Sequence, residues 1–169
     1  MNSNLKFFSI IIFIVLYNCS VKYSLTGASI SPETKTFQVN YFQNNSTLIE
    51  PGIDRDFTNK LIDLLINQTS LDLVKSNGDL LYEGEIVEYR IAPTTATANN
   101  TAAQNRLTIG VNVRFYDKSD PDAEFEKRFS FYYDYPGSSQ LIGSQKDTAV
   151  DEIFERITQD VFNASLAKW

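Results

Sequence analysis

The stretch Arg106-Leu107-Thr108-Ile109-Gly110-Val111-Asn112-Val113-Arg114-Phe115 decides the fold. Leu107, Ile109, Val111, Val113 and Phe115 point one way and Arg106, Thr108, Asn112 and Arg114 the other. This period of two is the signature of a strand with one face buried. Asp117 to Ala123, DKSDPDA, reads as a turn. Its three aspartates lack the spacing, the glycine and the terminal glutamate of an EF-hand loop. Glu124 to Tyr135 alternates again, with Phe125, Lys127, Phe129, Phe131 and Tyr133 against Glu126, Arg128, Ser130 and Tyr132. It is expected to pair with the first stretch as an antiparallel hairpin, with Tyr132 partly exposed.

Upstream, Leu80 to Ile91 reads as a long strand with Glu83 and Glu85 on one face, interpreted as a solvated edge. Between it and Arg106 lies Pro93 to Asn105, PTTATANNTAAQN, an uncharged run of low complexity expected to be a long mobile loop. Leu71 to Lys75 is strand-like, and Asn77-Gly78 after it supplies tight-hairpin chemistry. Ile53, Phe57, Leu61, Leu64 and Leu65 recur at helical spacing, with Asp54, Asp56, Asn59, Lys60 and Asp63 opposite. Asp54 and Asp56 fall in the first turn, where the helix dipole favours negative charge. Thr36 to Phe42 alternates as a half-buried strand. The chain closes on a second amphipathic helix, capped at Asp147 or Thr148, with Val150, Phe154, Ile157, Val161 and Ala164 inside and Trp169 placed to fold back. Each element buries one face. The expected fold is therefore α+β, a two-layer sandwich with both helices on one face of a mostly antiparallel sheet of four to five strands.

The N-terminus has its own logic. Lys6 precedes the apolar run Phe7 to Leu16, and the only cysteine of the chain, Cys19, follows it. A basic start and a short apolar core read as a secretory signal, and the core is too short to span a bilayer. Leu16 lies three positions before Cys19, as a lipoprotein cleavage site requires, whereas Tyr17 and Asn18 depart from its usual small residues. Residues 1–18 are thus expected to be a lipoprotein signal peptide, Cys19 the site of lipid attachment (palmitate-type acyl chains), residues 19–35 a tether, and residues 36–169 one domain. The rival reading is an ordinary signal whose cysteine is discarded. Acyl chains on Cys19 would hold the protein stably at a membrane, since each buried methylene contributes about 0.8 kcal/mol.

Composition narrows the function. Without Lys6 the remainder carries 14 basic against 21 acidic residues, a formal charge of −7, the wrong sign for a nucleic-acid binder. There is no histidine, so the commonest general base and metal ligand is absent. With Cys19 committed to lipid, the zinc, Cys-His and Ser-His-Asp arrangements have no members, and no cofactor or metal site is expected. Glu83, Glu85 and Glu88 are the only carboxylates whose placement suggests acid–base work, and charges on a solvated strand explain them better.

Several short motifs carry a resemblance: Cys19, Tyr23-Ser24-Leu25-Thr26-Gly27, Tyr41-Phe42-Gln43-Asn44-Asn45, Glu83-Gly84-Glu85-Ile86, Ala92-Pro93 and Asn105-Arg106-Leu107-Thr108-Ile109. In that order they resemble the LptE family of lipopolysaccharide-assembly lipoproteins. The resemblance covers almost all of the chain after the signal. It implies two helices on a four- to five-stranded sheet, a non-enzymatic role and a place at the periplasmic face of the outer membrane. There the protein would plug and help assemble the β-barrel LptD for lipopolysaccharide transport to the cell surface. The family's contact residues have no residue-by-residue match here. From charge alone, Arg90, Arg106, Arg114 and Arg128 are the candidates for contacting the barrel or lipopolysaccharide phosphates, because guanidinium binds carboxylate and phosphate bidentately. A different class of function fits the same chain: a periplasmic regulatory lipoprotein that binds and activates a cell-wall enzyme.

Overall fold

A computed structural model describes residues 30–96 and 102–167. Cys19, the signal stretch and Trp169 lie outside the described residues. The elements in chain order are β1 (Thr36–Val39), β2 (Gln43–Asn44), α1 (Ile53–Gln68), β3 (Asp72–Leu73), β4 (Leu80–Ala96), β5 (Ala102–Asp117), a 3-10 turn at Pro121–Ala123, β6 (Phe125–Pro136) and α2 (Gly143–Leu166).

The long strands β4, β5 and β6 form an antiparallel meander. Phe115 stands opposite Phe125, and Leu107 opposite Tyr133. The five inward residues predicted on β5, from Leu107 to Phe115, are all fully buried. On β4 the inward set is Leu80, Tyr82, Ile86 and then Tyr89, a change of phase produced by a bulge between Ile86 and Glu88. The extra residue keeps Tyr89 opposite Ile109 on the buried face and Glu88 on the open one.

The other side of β4 departs from the simple meander. β1 pairs with β4 in parallel, and β3 pairs with β1 in parallel, so the sheet runs β3-β1-β4-β5-β6, with β2 extending β1's position along β4. It is a mixed, six-stranded sheet. Asn77-Gly78 is therefore no hairpin between β3 and β4, because β1 is inserted between them. Its turn chemistry serves a crossover: Asn77 takes a left-handed φ of 57°, and a Cβ at Gly78 would lie 2.7 Å from the Gln38 backbone nitrogen. The Asp79 carboxylate then accepts the backbone N–H groups of Lys35 and Thr36 and the Thr36 hydroxyl, fixing where β1 starts. It follows that Glu83 and Glu85 are not on an edge; β4 is an interior strand there. The expected loop at 93–105 is also shorter, since β4 continues to Ala96 and pairs with Ala102.

Both helices cover the same face. Ile53, Phe57, Leu61 and Leu65 of α1 and Ile153, Phe154, Ile157, Val161 and Phe162 of α2 join Phe37, Phe42, Tyr82, Ile86 and the β5 residues in one core. Edge-to-face rings link the layers, Phe42 to Phe57 at 5.0 Å and Phe57 to Phe154 at 5.2 Å. The second helix begins a turn before the predicted caps, at Gly143. Its first turn is tied down by the Lys146 ammonium, 2.7 Å from the Glu50 carboxylate. Ala164 proves exposed, and the stripe closes through Phe162 and Ser165 instead. Ser165 meets the buried Tyr82 hydroxyl at 2.9 Å, which supplies that phenol with its partner. Packing also reaches N-terminal of β1: Thr34 is buried, and its hydroxyl is 3.2 Å from that of Ser119. Among the described residues no helix is long and apolar enough to cross a membrane.

Candidate functional site

The sheet face away from the helices is open, and it gathers all four arginines singled out in the sequence. Strand alternation puts them there: Arg90 on β4, Arg106 and Arg114 on β5, Arg128 on β6. The register decides their partners. Arg106 stands directly opposite Asp134, and Arg114 stands between Glu83 on one side and Glu126 on the other. Opposite charges directly across strands attract.

At one end, Arg114 donates from Nε to Glu83 and from both terminal nitrogens to Glu85, each at 3.2 Å, with Glu126 at 3.9 Å. Asn40 donates to the second oxygen of Glu83 and Asn112 to that of Glu85. In the middle, Glu88 is shared: Arg90 donates to one oxygen at 2.9 Å and Arg128 to the other. Gly110 makes the second bond achievable, because a Cβ there would lie 2.9 Å from the Arg128 guanidinium that crosses above it. At the far end, Arg106 forms a two-pronged bond with Asp134 at 2.7 and 2.8 Å and lies 3.5 Å over the Tyr132 ring. The guanidinium holds the Asp134 carboxyl below its ordinary range, and the carboxylate raises Arg106 in turn. Hydrogen bonds from Arg114 to Glu83, the largest cause, likewise raise Arg114.

Four arginines thus meet five carboxylates, and the face is a paired polar surface and not a basic patch. Its charge is uneven. Around Arg114 the carboxylates outnumber the cation; around Glu88 two guanidinium groups share one carboxylate. Glu83, Glu85 and Glu88 give their oxygens to arginines, so the arrangement orders a surface. Among the described residues no group of three or more acidic, Cys or His side chains is placed to hold a metal ion.

Sequence reasoning did not find two further features. A cleft of about 440 Å³ lies where the helices meet, bordered by Lys146–Glu50 and Lys60–Asp151 ion pairs. A groove of about 640 Å³ runs along β4 beyond the end of β2, lined by Thr47, Leu48, Val87, Glu88, Tyr89, Arg90, Ile91 and Arg128. The break in alternation between Ile86 and Tyr89 was the available signal for the second.

No curated protein matches the chain by sequence. Among solved structures, the hypothetical protein CT253 from Chlamydia trachomatis is similar at 11% identity and a TM-score of 0.54, covering 80% of this chain and 99% of that one. The rare lipoprotein B from Shewanella oneidensis aligns at 11% identity and a TM-score of 0.46, over 75% of this chain and 89% of its own. A subunit of the PelC dodecamer from Paraburkholderia phytofirmans aligns at 10% identity and a TM-score of 0.47, over 83% of this chain and 94% of its own. The family assignment rests on sequence: the LptE model, described as lipopolysaccharide-assembly, matches residues 34–165, from the buried Thr34 that opens the fold to the Ser165 that holds Tyr82. With that match spanning both helices and the whole sheet, the chain belongs to the LptE lipopolysaccharide-assembly family.

Proposed function

We propose that this protein is a non-enzymatic outer-membrane lipoprotein, anchored by acyl chains on Cys19 after removal of residues 1–18. Its open sheet face docks inside an LptD-like β-barrel and supports lipopolysaccharide delivery to the cell surface. The observation that carries this reading is the face itself, rich in charged and polar side chains and with every one of its four arginines already paired. A barrel lumen is polar. A surface on which each arginine already has a carboxylate partner enters such a lumen without stranding a lone guanidinium, which costs several kcal/mol on an order-of-magnitude basis. Family membership supplies the lipopolysaccharide-assembly context.

The test is photo-crosslinking in intact membranes from Ser130, an exposed position midway along β6 on this face. A crosslink to a large heat-modifiable barrel protein, with loss of surface lipopolysaccharide on depletion, is the expected result. A crosslink to a protein with a periplasmic catalytic domain supports the enzyme-activating alternative, and recovery as a free monomer from gently solubilised membranes overturns the barrel assignment. Mass spectrometry of the mature N-terminus tests the anchor: an unmodified Cys19 removes it.

A further inference from the structure

The sheet has an open edge in its interior. β1 and β2 cover β4 only as far as Ile86, whose carbonyl accepts the Asn45 N–H at 2.8 Å, while β4 itself runs on to Ala96. Among the described residues, no backbone hydrogen bond joins residues 46–52 to residues 87–91.

The register fixes which groups face that edge. Ile86 turns its carbonyl away from β5, so its opposite residue Val111 turns toward β6. Two-residue alternation makes Ile109 and Leu107 do the same, and the Ile109 carbonyl accepts the Ser130 hydroxyl of β6 at 3.0 Å. Tyr89 and Ile91, which stand opposite Ile109 and Leu107, therefore direct their N–H and C=O groups to the open side. Pro93, the next residue of that set, has no N–H to offer and closes the window, as prolines do on strand edges. The bulge after Ile86 closes the other end.

The groove beside this window has mixed chemistry. Leu48, 52% exposed, and Ile91, 42% exposed, provide apolar walls. Arg90 and Arg128 reach into it with a single carboxylate, Glu88, between them. The local charge is one positive unit in excess. A lipid chain would satisfy the walls and leave the backbone donors and acceptors bare, whereas an extended peptide satisfies both.

We propose that the Tyr89–Ile91 edge of β4 takes up a short extended segment of a protein partner as an added strand, with an acidic side chain of that segment received by Arg90 and Arg128. The window between bulge and proline limits the added strand to about five residues, so the contact is a brief, sequence-selective clasp in addition to docking by the sheet face. This goes beyond the barrel reading and does not depend on it, since any partner with such a segment fits.

Hydrogen exchange of the full chain in detergent micelles, followed amide by amide by NMR, tests this with synthetic peptides at about 1–5 mM. The probe is acetyl-Thr-Val-Glu-Val-Thr-amide. One control has Lys for Glu; another is N-methylated on alternate amides so that it cannot pair as a strand on one edge. The glutamate peptide should slow exchange at Tyr89 and Ile91. The lysine peptide should bind about threefold or more weakly, the N-methylated peptide should fail, and R90A/R128A should erase the preference for glutamate. Undiminished protection elsewhere in β4 and β5 shows that the variant is folded. Equal binding of the N-methylated peptide, or protection confined to β6, overturns the proposal. So does protection of Tyr89 and Ile91 in the chain alone, because another segment of the chain or a second copy then fills the edge.

Discussion

Gly84 gives the sharpest test of the packing described above. It lies on the inward side of β4 between Tyr82 and Ile86, yet the place of its side chain is taken by the Phe42 ring: a Cβ built on Gly84 would lie 2.7 Å from that ring and 2.0 Å from the Asn112 carbonyl oxygen. Neither neighbour has room to move. Phe42 is fully buried, its N–H is bonded to the Thr58 hydroxyl at 3.1 Å, and its ring meets Phe57. Asn112 belongs to the strand that pairs with β4. Gly84→Ala must therefore displace a core ring or open the ladder. Overpacking costs about 1–3 kcal/mol and a lost aromatic contact about 0.5–1.5, for a combined loss of about 2–4 kcal/mol. At about 2–4 °C per kcal/mol for a domain of this size, the midpoint should fall by roughly 4–16 °C. Urea unfolding followed by near-UV circular dichroism measures the loss. Phe42→Leu in the same background should recover part of it, with a coupling of at least about 0.5 kcal/mol in the double-mutant cycle. The reasoning is falsified if Gly84→Ala changes stability by less than about 0.5 kcal/mol, the range of a neutral surface substitution.

Other outcomes follow from single contacts. Ser165→Ala leaves the buried Tyr82 hydroxyl without its partner and should cost about 1–3 kcal/mol, whereas Tyr82→Phe removes the hydroxyl itself and should cost about 0.5–1.5, a ranking that denaturation of the two variants reads directly. Gly110→Ala should push Arg128 off Glu88 while leaving Arg90 in place, visible as a shift of the Arg128 side-chain resonances with little change in those of Arg106. Burial, and next the charge of Glu50, raises the Tyr89 phenol to about 12; ultraviolet titration should find it ionising above the ordinary phenol value of about 10, and its contribution to stability, full below pH ~10, should be lost as pH rises through about 12. Asp79 and Asp134 are held below the ordinary carboxylate range, by the Lys35 N–H and by Arg106 respectively. Their contributions are present above pH ~3.9 and vanish as pH falls through the lowered folded values, so carbon-detected titration of Asp134 should return to the ordinary range in Arg106→Met.

What the sequence disclosed depended on whether burial imposed a pattern. Residues 106–115 of β5 are read without error because every second residue is buried, and α1 because Phe57, Leu61 and Leu65 must all face the sheet. Residues 93–96 and 102–105 carry no such pattern; their strand character comes from backbone pairing with each other, which composition does not record. Asn77-Gly78 misleads for a related reason. Turn residues specify a local change of direction, and they do not say that β1 will lie between the two strands they separate. The arginines were legible as members of a polar face but not as paired residues, since pairing follows from register: Glu83 opposite Arg114 and Asp134 opposite Arg106 are facts about how strands align.

That register also sorts the arginines by the chemistry left to them. Arg114 is bound by Glu83 and Glu85 with Glu126 close by, so an incoming phosphate would meet repulsion from three carboxylates before reaching the guanidinium. Arg106 has both prongs on Asp134 and its plane on Tyr132; an anion could bind only by breaking a two-bond fork. Arg90 and Arg128 are different, because each is tied to a single oxygen of one shared carboxylate and both side chains are more than half exposed. Their remaining N–H groups are available to an acceptor, and among these four arginines only this pair outnumbers its carboxylates. If this protein recognises an anionic group through the open sheet, phosphate or carboxylate, the Glu88-centred pair is where it does so. Substituting Arg114 or Arg106 should then disturb the surface order without removing the receptor, whereas substituting Arg90 and Arg128 together should remove it.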